Sequence, residues 1–458
     1  MDQIKNRNQL VENGQTESIR RARALALQSL ECALKSVDPK QLLRRSLSLR
    51  ESNLFADGFS FDLKEFKTIY VVGGGKASGV MAKAVEEILS AYLTAGIVNV
   101  PYGNIQKTRI IELHEANHPV PDNAGMEGTH RMVKLAEQAD KDCLIICLIS
   151  GGGSSLMPLP RIDVSLEEKR DLTAALLKSG AAINEINIVR KHLSEFKGGW
   201  LAKRAYPATV LNLILSDVVG DSLDSIASGP TVPDPSTFDD ARSVLKKYHL
   251  WTNGPSSIRK VLSDGAKGMI AETPKAGDPA FEKVYNVVIG NNRTAIAAAV
   301  DYLQSEGLNT LLLTDTLEGE AKRAGAVIAL LARQVVDSNN PIPKPAGIVA
   351  GGETTVTVTG RGRGGRNQEL VLAAALNLNS AQACVIASLN TDGVDGPTVA
   401  AGAVVDGFTL IRAAKLGLDP KEFLADNDSN SFFSKLGDLV ITGQTGTNVN
   451  DISVIVAL

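Results

Sequence analysis

Aromatic side chains are scarce in this sequence of 458 residues: phenylalanine, tyrosine and tryptophan together make up 4%. Proteins that bind single-stranded nucleic acid stack bases on aromatic rings, so the scarcity argues against that class. The formal net charge of -3 gives no general attraction to polyanions either. We therefore expect no nucleic-acid partner, and any anion-binding site must be a local cluster of cations.

Cysteine is also rare, with four residues, Cys32, Cys143, Cys147 and Cys384. Four thiols are too few to form a disulfide framework in a chain of this length. Cys143 and Cys147 lie inside the apolar run CLIICLI, and a metal pair is the alternative interpretation. The apolar surroundings favour buried, unreactive thiols in a reducing compartment.

Long hydrophobic runs are absent, since no apolar stretch approaches the roughly 18 residues that a membrane-spanning helix needs. The N-terminal segment MDQIKNRNQLVENGQ is polar and lacks the apolar core of a signal peptide. From these two absences we expect a cytoplasmic protein with no membrane partner. The length of 458 residues predicts two or three domains.

The order of apolar patterns predicts an α/β protein. Apolar residues recur at steps of three and four over residues 17–37, and Pro39 follows them, which predicts a helix. Short apolar runs then alternate with helical patterns, as in a mostly parallel sheet covered by helices. The predicted strands are TIYVV, GIVNV, RIIEL, CLIICLI and TVLNLIL before the proline-rich segment 228–238, and YNVVIG, TLLLTD, AGIVAG, TTVTVTG, ACVIASL and DISVIVAL after it. We expect two α/β domains with a ligand-binding cleft between them.

Four glycine-rich loops each follow an apolar run, at residues 71–79, 148–157, 357–370 and 388–398. Glycine lets backbone amides approach an anion closely, and a following helix N-terminus adds partial positive charge. A single loop of this kind is weak support, because tight strand-to-helix turns need glycine anyway. Four such loops, two of them carrying cations, favour anion binding.

The first loop, VVGGGKASG, satisfies neither standard phosphate-binding signature. Tyr70 occupies the first glycine position of the P-loop pattern and Ala77 follows its lysine, and the glycines miss the Rossmann G-x-G-x-x-G spacing. Lys76 is therefore either a phosphate contact or a solvated turn lysine. The third loop places Arg361, Arg363 and Arg366 among glycines just before a helical pattern. An ordered anion site at a helix N-terminus fits that loop better than an RNA-binding RGG segment.

Two further clusters of charge stand out. INIVRKHLSEFKGG gathers Arg190, Lys191, His192 and Lys197, which form either an anion site or the polar face of a helix. Aspartates follow two of the predicted strands, at Asp217, Asp221, Asp224, Asp392 and Asp395. Acids at strand ends are candidate Mg²⁺ ligands or general bases, with capping and turn formation as the alternative.

One motif is misleading. HEANH at residues 114–118 matches the H-E-x-x-H zinc pattern, which needs a helix to bring both histidines to one face. Pro119 follows directly and disfavours a helix at His118. The flanking residues predict a strand and a turn, which disfavours a zinc site here, and a zinc hydrolase stays the weakest of the alternatives, to be tested by metal analysis of the purified protein.

Cationic glycine loops combined with strand-end acids suggest phosphoryl transfer, which needs positioning and charge neutralisation. The sequence strongly resembles the glycerate 2-kinase family, whose C-terminal part is called the MOFRL domain. The resemblance runs from about residue 20 to the end. It is carried by VVGGGKAS, HPVPD, SGGGSSL, INIVRKHLS, LSDVVGDSLDSIASGPTVPD, GGETTVTVTG, GGRNQEL, TDGVDGPT and TGTNVND.

The resemblance implies ATP- and Mg²⁺-dependent phosphorylation of D-glycerate to 2-phosphoglycerate. It implies a Rossmann-like N-terminal domain over residues 1–240, a helical connector over 241–285 and a smaller α/β MOFRL domain over 286–458. Family members are often dimers, so a homodimer is compatible with it. Its expected site residues are Lys76 and Arg366 as catalytic cations, Lys197 and Arg190 for the substrate carboxylate or transferring phosphate, Asp217 and Asp392 for Mg²⁺, and the nucleotide-phosphate loop Ser150, Gly151, Gly152, Gly153, Ser154 and Ser155.

Two other functions remain open at this point. Some relatives carry the label hydroxypyruvate reductase, but an NAD(P)H-dependent reductase would need a dinucleotide fingerprint that none of the loops supplies. A non-catalytic module that binds nucleotide or sugar phosphate would need the glycine loops but not the strand-end acids.

Overall fold

The computed structural model describes residues 3–378 and 384–458. Its helices are α1 (Arg7–Glu12), α2 (Glu17–Ser36), α3 (Pro39–Ser46), α4 (Ser78–Leu89), α5 (Asn123–Glu137), α6 (Gly153–Leu156), α7 (Leu166–Lys178), α8 (Ile183–His192), α9 (Trp200–Ala205), α10 (Phe238–Lys247), α11 (Ser256–Ala266), α12 (Asn292–Ser305), α13 (Ala321–Ser338), α14 (Arg366–Leu378), α15 (Thr409–Lys415), α16 (Pro420–Ala425) and α17 (Ser429–Leu436). Its strands are β1 (Leu47–Arg50), β2 (Asn53–Ala56), β3 (Phe59–Asp62), β4 (Thr68–Gly74), β5 (Ala95–Pro101), β6 (Ile111–Ala116), β7 (Cys143–Ile149), β8 (Thr209–Leu215), β9 (Val284–Gly290), β10 (Asn309–Glu320), β11 (Ala346–Thr355), β12 (Cys384–Asn390), β13 (Gly402–Asp406), β14 (Leu439–Val440) and β15 (Asp451–Ala457). Among the described residues, no helix is both long and apolar enough to cross a membrane.

The chain divides into two compact units. Residues 39–289 form the central unit, and residues 1–38 together with 290–458 form the terminal unit. The sequence assigns residues 1–38 to the N-terminal domain, whereas α2 packs against α12, β12 and β15 of the terminal unit. The reason is the apolar face of α2, which includes Ile19, Leu27 and Leu30 and is fully buried there. The boundaries of the functional domains remain a prediction.

The central unit has a six-stranded sheet in the order β6-β5-β4-β7-β8-β9. The pairs β6/β5, β5/β4, β4/β7 and β7/β8 are parallel, as the alternation of strands and helices predicted. Every residue of β7 and β8 is buried, which explains why both sequences are continuous apolar runs. The parallel pairing brings the ends of β4, β6, β7 and β8 to one edge of the sheet, where the loops that carry the candidate residues begin.

Two glycines let the first of these loops lie against the end of β7. Gly73 and Gly75 have φ of 146° and 155°, in the region that favours glycine. A Cβ atom on Gly73 would lie 2.1 Å from the Leu148 carbonyl oxygen, and one on Gly75 would lie 2.1 Å from Ser150 Oγ. Any side chain at either position would separate the loop from β7.

The terminal unit also has a six-stranded sheet, in the order β10-β11-β15-β12-β13-β14. Here β10 and β11 are parallel, while the pairs β11/β15, β15/β12, β12/β13 and β13/β14 are antiparallel. The C-terminal strand β15 is buried along its whole length between β11 and β12. This unit is therefore α/β as predicted, with a mixed sheet.

The predicted strand TTVTVTG is wrong as a separate element. Strand β11 ends at Thr355, and the segment that follows leaves the sheet. Its backbone amides form hydrogen bonds with side chains instead of with a neighbouring strand. The amides of Thr359 and Gly360 donate to Asn427 Oδ1, each at 2.9 Å. Alternating threonine and valine predicts a strand, but these side-chain acceptors satisfy the backbone locally.

The cysteines are buried as the sequence predicted, except for Cys32, which is half-buried. Burial raises the pKa of Cys143, and it raises the pKa of Cys384 to about 12. Burial also raises the pKa of Cys147. These three thiols stay protonated at neutral pH, which is the unreactive state.

Candidate active site

Lys76 lies in the turn between β4 and α4, with a half-buried side chain. The Lys76 amide donates to the Gly151 carbonyl oxygen at 2.8 Å, and the Ala77 amide donates to Ser150 Oγ at 3.0 Å. The expectation that amides of this loop contact an anion does not hold for Lys76 and Ala77, because protein acceptors already take them. The functional part of the turn is the Lys76 side chain.

The loop SGGGSS, residues 150–155, lies beside Lys76. Gly152 is left-handed with φ of 83°, and a Cβ there would lie 2.9 Å from His118 Nε2 and 3.4 Å from Lys76 Cγ. Within residues 3–378 and 384–458, the amides of Gly151 and Gly152 have no protein acceptor. The loop thus combines two available amide donors with a neighbouring cation, as a phosphate-binding loop requires.

A chain of polar side chains runs from this loop to α8. Ser154 Oγ lies 2.9 Å from Ser228 Oγ, and Ser228 Oγ donates to Asn187 Oδ1 at 3.3 Å. Arg190 Nη1 donates to the same Asn187 oxygen, also at 3.3 Å. The chain couples the position of Arg190 to that of the glycine loop.

The backbone beside Ser154 is strained. Ala227 and Ser228 both have positive φ, 50° and 61°, although neither is glycine. A non-glycine residue held in this region costs on the order of 1–3 kcal/mol, and such residues cluster at functional sites. The conformation puts Ser228 Oγ against Ser154, and Ala227 Cβ would lie 2.9 Å from a Cβ on Gly153.

A cavity of 400 Å³ opens next to the loop. Its lining includes residues 118–121, Ser154 and Ser155, and the cations Lys169, Arg190 and Lys197. Lys197 Nζ donates to the Met157 carbonyl oxygen at 2.9 Å, and Lys169 Nζ donates to the Leu193 carbonyl oxygen at 3.0 Å. Both side chains are buried, with residue exposures of 1% and 7%. The sequence-predicted pair Arg190 and Lys197 is therefore brought together, with a third cation beside it.

Burial lowers the pKa of each of these cations, and neighbouring positive charges lower it further for the two lysines. Burial, then the charges of Lys169 and Arg190, hold the pKa of Lys197 well below its usual value. Burial, then Arg190 and Arg161, lower the pKa of Lys169 to about 7, against a weaker opposing effect of Glu195. Burial also lowers the pKa of Arg190. The cavity is electrostatically unfavourable for its own cations until an anion enters it.

The strand-end aspartates of the central unit have mixed roles. Asp217 is half-buried two residues beyond β8, at the same sheet edge as Lys76. Asp224 pairs with Lys191 at 2.9 Å, so Lys191 is a structural cation rather than part of the cavity. Within residues 3–378 and 384–458, no group of three or more histidine, cysteine, aspartate or glutamate side chains is arranged to hold a metal ion.

Arg366 begins α14 in the terminal unit and lines a cavity of 470 Å³. Its Nε donates to Asp451 Oδ2 at 2.7 Å and its Nη1 donates to Glu353 Oε1 at 2.6 Å. Burial lowers the pKa of Arg366, but the carboxylates of Asp451 and Glu353 outweigh burial and raise it. The guanidinium is oriented by two acids and stays charged.

The N-terminus of α14 does not offer amides to a ligand, contrary to the sequence expectation. The Asp395 carboxylate accepts from the amides of Asn367 and Gln368, at 3.1 and 2.9 Å. Asp395 is therefore a helix cap, and the anion at this helix end belongs to the protein itself. Any role of this loop in binding an external anion rests on side chains, above all that of Arg366.

The remaining candidates of the terminal unit are held by local hydrogen bonds. Asp392 is half-buried and its Oδ1 accepts from the Val394 amide at 2.9 Å, which forms an Asx turn. Arg361 and Arg363 are exposed, and their amides are fixed by Asp426 and Asp428. The roles of Asp392 and Arg366 in a reaction stay predictions.

Three residues of the central site were missed by the sequence interpretation. Lys169 lies in no motif, and only its burial against α8 reveals it. Asn187 lies inside INIVRKH and Ser228 inside LILSDVVGDSLDSIASGP, and both segments are candidates because of their charged residues, not because of these polar side chains. The glycine after Ser228 was the available signal, since it marks an unusual backbone turn.

HEANH does not form a metal site of the helical type. His114 and Glu115 lie on strand β6, and His118 lies beyond its end. The His114 Nε2 atom lies 2.9 Å from the Ala124 carbonyl oxygen, within hydrogen-bond distance. The helical spacing that the zinc pattern requires is therefore not realised.

Two family models match this chain. A family model described as a domain of unknown function, DUF4147, matches residues 25–263, and the MOFRL family model matches residues 346–451. The glycerate 2-kinase of Pyrococcus horikoshii is 39% identical over 431 residues, which cover 94% of this chain and 96% of that protein. The chain belongs to the glycerate 2-kinase family.

Other members of the glycerate 2-kinase family agree with this assignment in sequence and in fold. The crystal structure of a glycerate kinase from Thermotoga maritima superposes with a TM-score of 0.84 at 40% identity, covering 95% of this chain and 99% of that one. A protein of Agrobacterium vitis named putative hydroxypyruvate reductase is 41% identical and covers 95% of this chain and 94% of its own length. Names within the family therefore differ although the fold is shared.

Proposed function

We propose that this chain is an ATP-dependent glycerate 2-kinase, which transfers the γ-phosphoryl group of ATP to the 2-hydroxyl of D-glycerate. The observation that carries the proposal is the group of cations, Lys76, Lys169, Arg190 and Lys197, around the glycine loop of the central unit. Both substrates are anions, and phosphoryl transfer is catalysed mainly by positioning and charge neutralisation. A chain with net charge -3 must concentrate cations locally to do this.

The proposed roles follow from where each group lies. Loop 150–155 binds nucleotide phosphate through its two available amides and the hydroxyls of Ser154 and Ser155. Lys76, in the β4–α4 turn beside this loop, stabilises the negative charge that spreads over the transferred phosphoryl group. Arg190 and Lys197 contact the transferring phosphate or the glycerate carboxylate. Arg366, in the terminal unit, is a candidate catalytic cation on the family resemblance.

Magnesium is the expected companion of ATP, and the central unit fits it. Mg²⁺ commonly keeps several waters and takes one or two protein carboxylates together with substrate phosphates, so a full protein cage is not required. Asp217 at the carboxyl edge of the sheet is the residue that would hold it, with Asp392 as the terminal unit's candidate. The ion would supply neutralisation of the β- and γ-phosphate charge.

The test is formation of ADP from Mg·ATP by the purified chain, with and without D-glycerate. We expect ADP formation that depends on D-glycerate and is absent with hydroxypyruvate alone. Oxidation of NADH or NADPH on hydroxypyruvate, without ADP formation, would replace the kinase with the reductase. The β4–α4 turn disfavours that result, because its glycines do not have the dinucleotide-binding spacing.

A further inference from the structure

We infer that the 400 Å³ cavity is a pocket for a nucleoside polyphosphate, and that Lys169 binds its phosphates together with Arg190 and Lys197. The inference rests on the proposed function and adds to it a residue that no sequence motif contains. It also fixes the direction of the ligand, with phosphates inside and the base towards the rim.

The first argument is charge. Within the described part of the chain, Lys169 and Lys197 donate to carbonyl oxygens and Arg190 to an amide oxygen, and none of the three forms an ion pair with a carboxylate. Glu195 is shared between Arg161 and Arg204, and Asp171, an exposed acid of the cavity lining, lies within ion-pair distance of none of the three cations among the described residues. Buried charges are normally paired, because an unpaired one costs several kcal/mol of solvation free energy. A ligand with several negative charges supplies what the protein lacks.

The second argument is size and polarity. A volume of 400 Å³ lies within the range of about 300–1,000 Å³ for pockets that hold drug-sized ligands. Glycerate has three carbons and a single carboxylate, and would leave most of this space empty. A nucleotide has both the size and the charge.

The third argument is how the lining is distributed. Lys169 and Lys197 lie deep, with exposures of 7% and 1%, and Arg190 is half-buried, while Arg170 and Asp171 of the same lining are exposed. Apolar side chains of the lining lie further out, with Val120 44% and Leu177 56% exposed. This gradient matches a ligand with a charged end and a flat, weakly polar end. A nucleotide fits this distribution when its polyphosphate lies inside, near the cations, and its base lies against Val120 and Leu177.

The fourth argument links binding to protons. Burial and neighbouring cations lower the pKa of Lys169 to about 7, so much of it is neutral in the empty pocket above that pH. A polyphosphate next to Nζ favours the charged form and raises the pKa again. Nucleotide binding should therefore take up protons at pH 7.5 to 8, which a purely structural lysine would not do.

The experiment is calorimetric titration of the full chain with ADP at pH 7.5, in two buffers of different ionisation enthalpy. For the wild type we expect binding whose apparent enthalpy depends on the buffer, as proton uptake requires. Lys169→Met should weaken ADP binding by about tenfold to a hundredfold, the range for a charge-assisted hydrogen bond, and should reduce the buffer dependence, leaving the part that comes from Lys197. Lys169→Arg should retain most of the affinity. Lys178→Met, an exposed lysine at the end of the same helix, is the matched control and should change neither quantity.

Unchanged ADP affinity in Lys169→Met overturns the inference. ADP binding to the wild type without proton uptake also overturns it, and this second measurement does not depend on whether a variant folds. The kinase assay separates the two proposals. If D-glycerate is phosphorylated and Lys169→Met has a normal KM for ATP, the inference fails and the proposed function stands. If ADP binding depends on Lys169 but no glycerate is phosphorylated, the proposed function fails and the pocket stands.

Discussion

At the scale of single residues, the candidate cations differ in how their charge is compensated. Arg366 is held by two carboxylates, whereas Lys169 and Lys197 donate to carbonyl oxygens. A cation already paired with acids contributes orientation and a fixed charge, while an uncompensated one attracts an anion. Removing the charge of Arg366 should therefore affect both stability and activity, whereas removing that of Lys169 or Lys197 should mainly affect anion binding.

Lys76→Ala should lower turnover by about a hundredfold or more, because removing one preorganised charge-stabilising donor commonly costs 10²–10³ in rate. Fold stability should change little, since the backbone bonds to Gly151 and Ser150 do not use the side chain. Thermal melting and the ADP-release assay measure the two effects. Lys64→Ala, an exposed lysine of the same unit, is the control and should leave both unchanged. Near-normal turnover in Lys76→Ala would remove this residue from the mechanism.

Arg366→Ala should lose activity to a similar extent but should also lower stability. Burial raises the pKa of Asp451 to about 7 against the effect of Arg366, so that removing the arginine leaves a buried acid without its partner. Breaking a fully buried pair costs about 3–5 kcal/mol, and the cost here is smaller because 23% of the Arg366 side chain is exposed.

The double variant Arg366→Ala with Asp451→Asn separates the two effects. The neutral amide introduced by Asp451→Asn needs no cationic partner. The melting temperature should therefore return most of the way from that of Arg366→Ala to that of the wild type, while turnover stays low. Recovery of activity together with stability would mean that Arg366 serves only the fold.

At the scale of elements, α8 carries Arg190 into the cavity, and its last residue, His192, lies beside an acid. His192 Nε2 lies 2.9 Å from Glu272 Oε1, and the amides of Phe238 and Thr273 donate to the same carboxylate. Burial raises the pKa of Glu272, but these partners, His192 first, outweigh it and lower the pKa to about 2. The ionised carboxylate of Glu272 therefore helps to fix the position of α8.

Glu272→Gln should reduce stability at neutral pH and have less effect in acid. A carboxyl whose folded-state pKa lies below its unfolded value near 4.3 contributes stability above that value, and loses it as pH falls towards 2. The contribution is about 1–2 kcal/mol after allowance for a side chain that is 34% exposed.

Urea unfolding at pH 7, 5 and 3 measures this contribution. The difference between wild type and Glu272→Gln should be the same at pH 7 and 5 and smaller at pH 3. Glu282→Gln, an exposed glutamate of the same unit, should show no such trend. A difference that does not shrink in acid would contradict the linkage.

Elements differ in how far the sequence predicts them. CLIICLI and TVLNLIL match β7 and β8 at both ends, because a strand buried on both faces is a continuous apolar run. TTVTVTG failed because its amides bond to Asn427, a residue far along the chain. Lys169 was missed for the same reason, since it acquires its role from partners that only the folded chain brings near. Capping was the alternative role given for Asp395, and the folded chain shows that it caps α14. Lys76, the 150–155 loop and the Arg190–Lys197 pair could be picked out because short motifs carry them.

At the scale of the whole molecule, the first 38 residues belong with the C-terminal part of the chain. Arg23 on α2 is fully buried and bonds to Asp406 and Asp438, whose side chains are also 0% exposed. Arg412 contributes a second cation to Asp438 at 2.7 Å. This buried network joins the start of the chain to strands and helices near its end.

Arg23→Met should destabilise the terminal unit by about 3–5 kcal/mol, since it leaves two buried carboxylates with only Arg412 to compensate them. The melting temperature of the full chain and its susceptibility to proteolysis are the measurements. Arg21→Met, two residues away and exposed on the same helix, should be nearly neutral. Equal stability of the two variants would show that the buried network contributes little.

The central claim, that the chain is a glycerate 2-kinase, is tested most directly by identifying the phosphorylated product. Mg·ATP and D-glycerate are incubated with the protein and coupled to enolase, once alone and once with phosphoglycerate mutase. Signal with enolase alone identifies 2-phosphoglycerate, which is the predicted result. Signal only after mutase is added identifies 3-phosphoglycerate and contradicts the assigned position of transfer, and absence of any product contradicts the kinase itself.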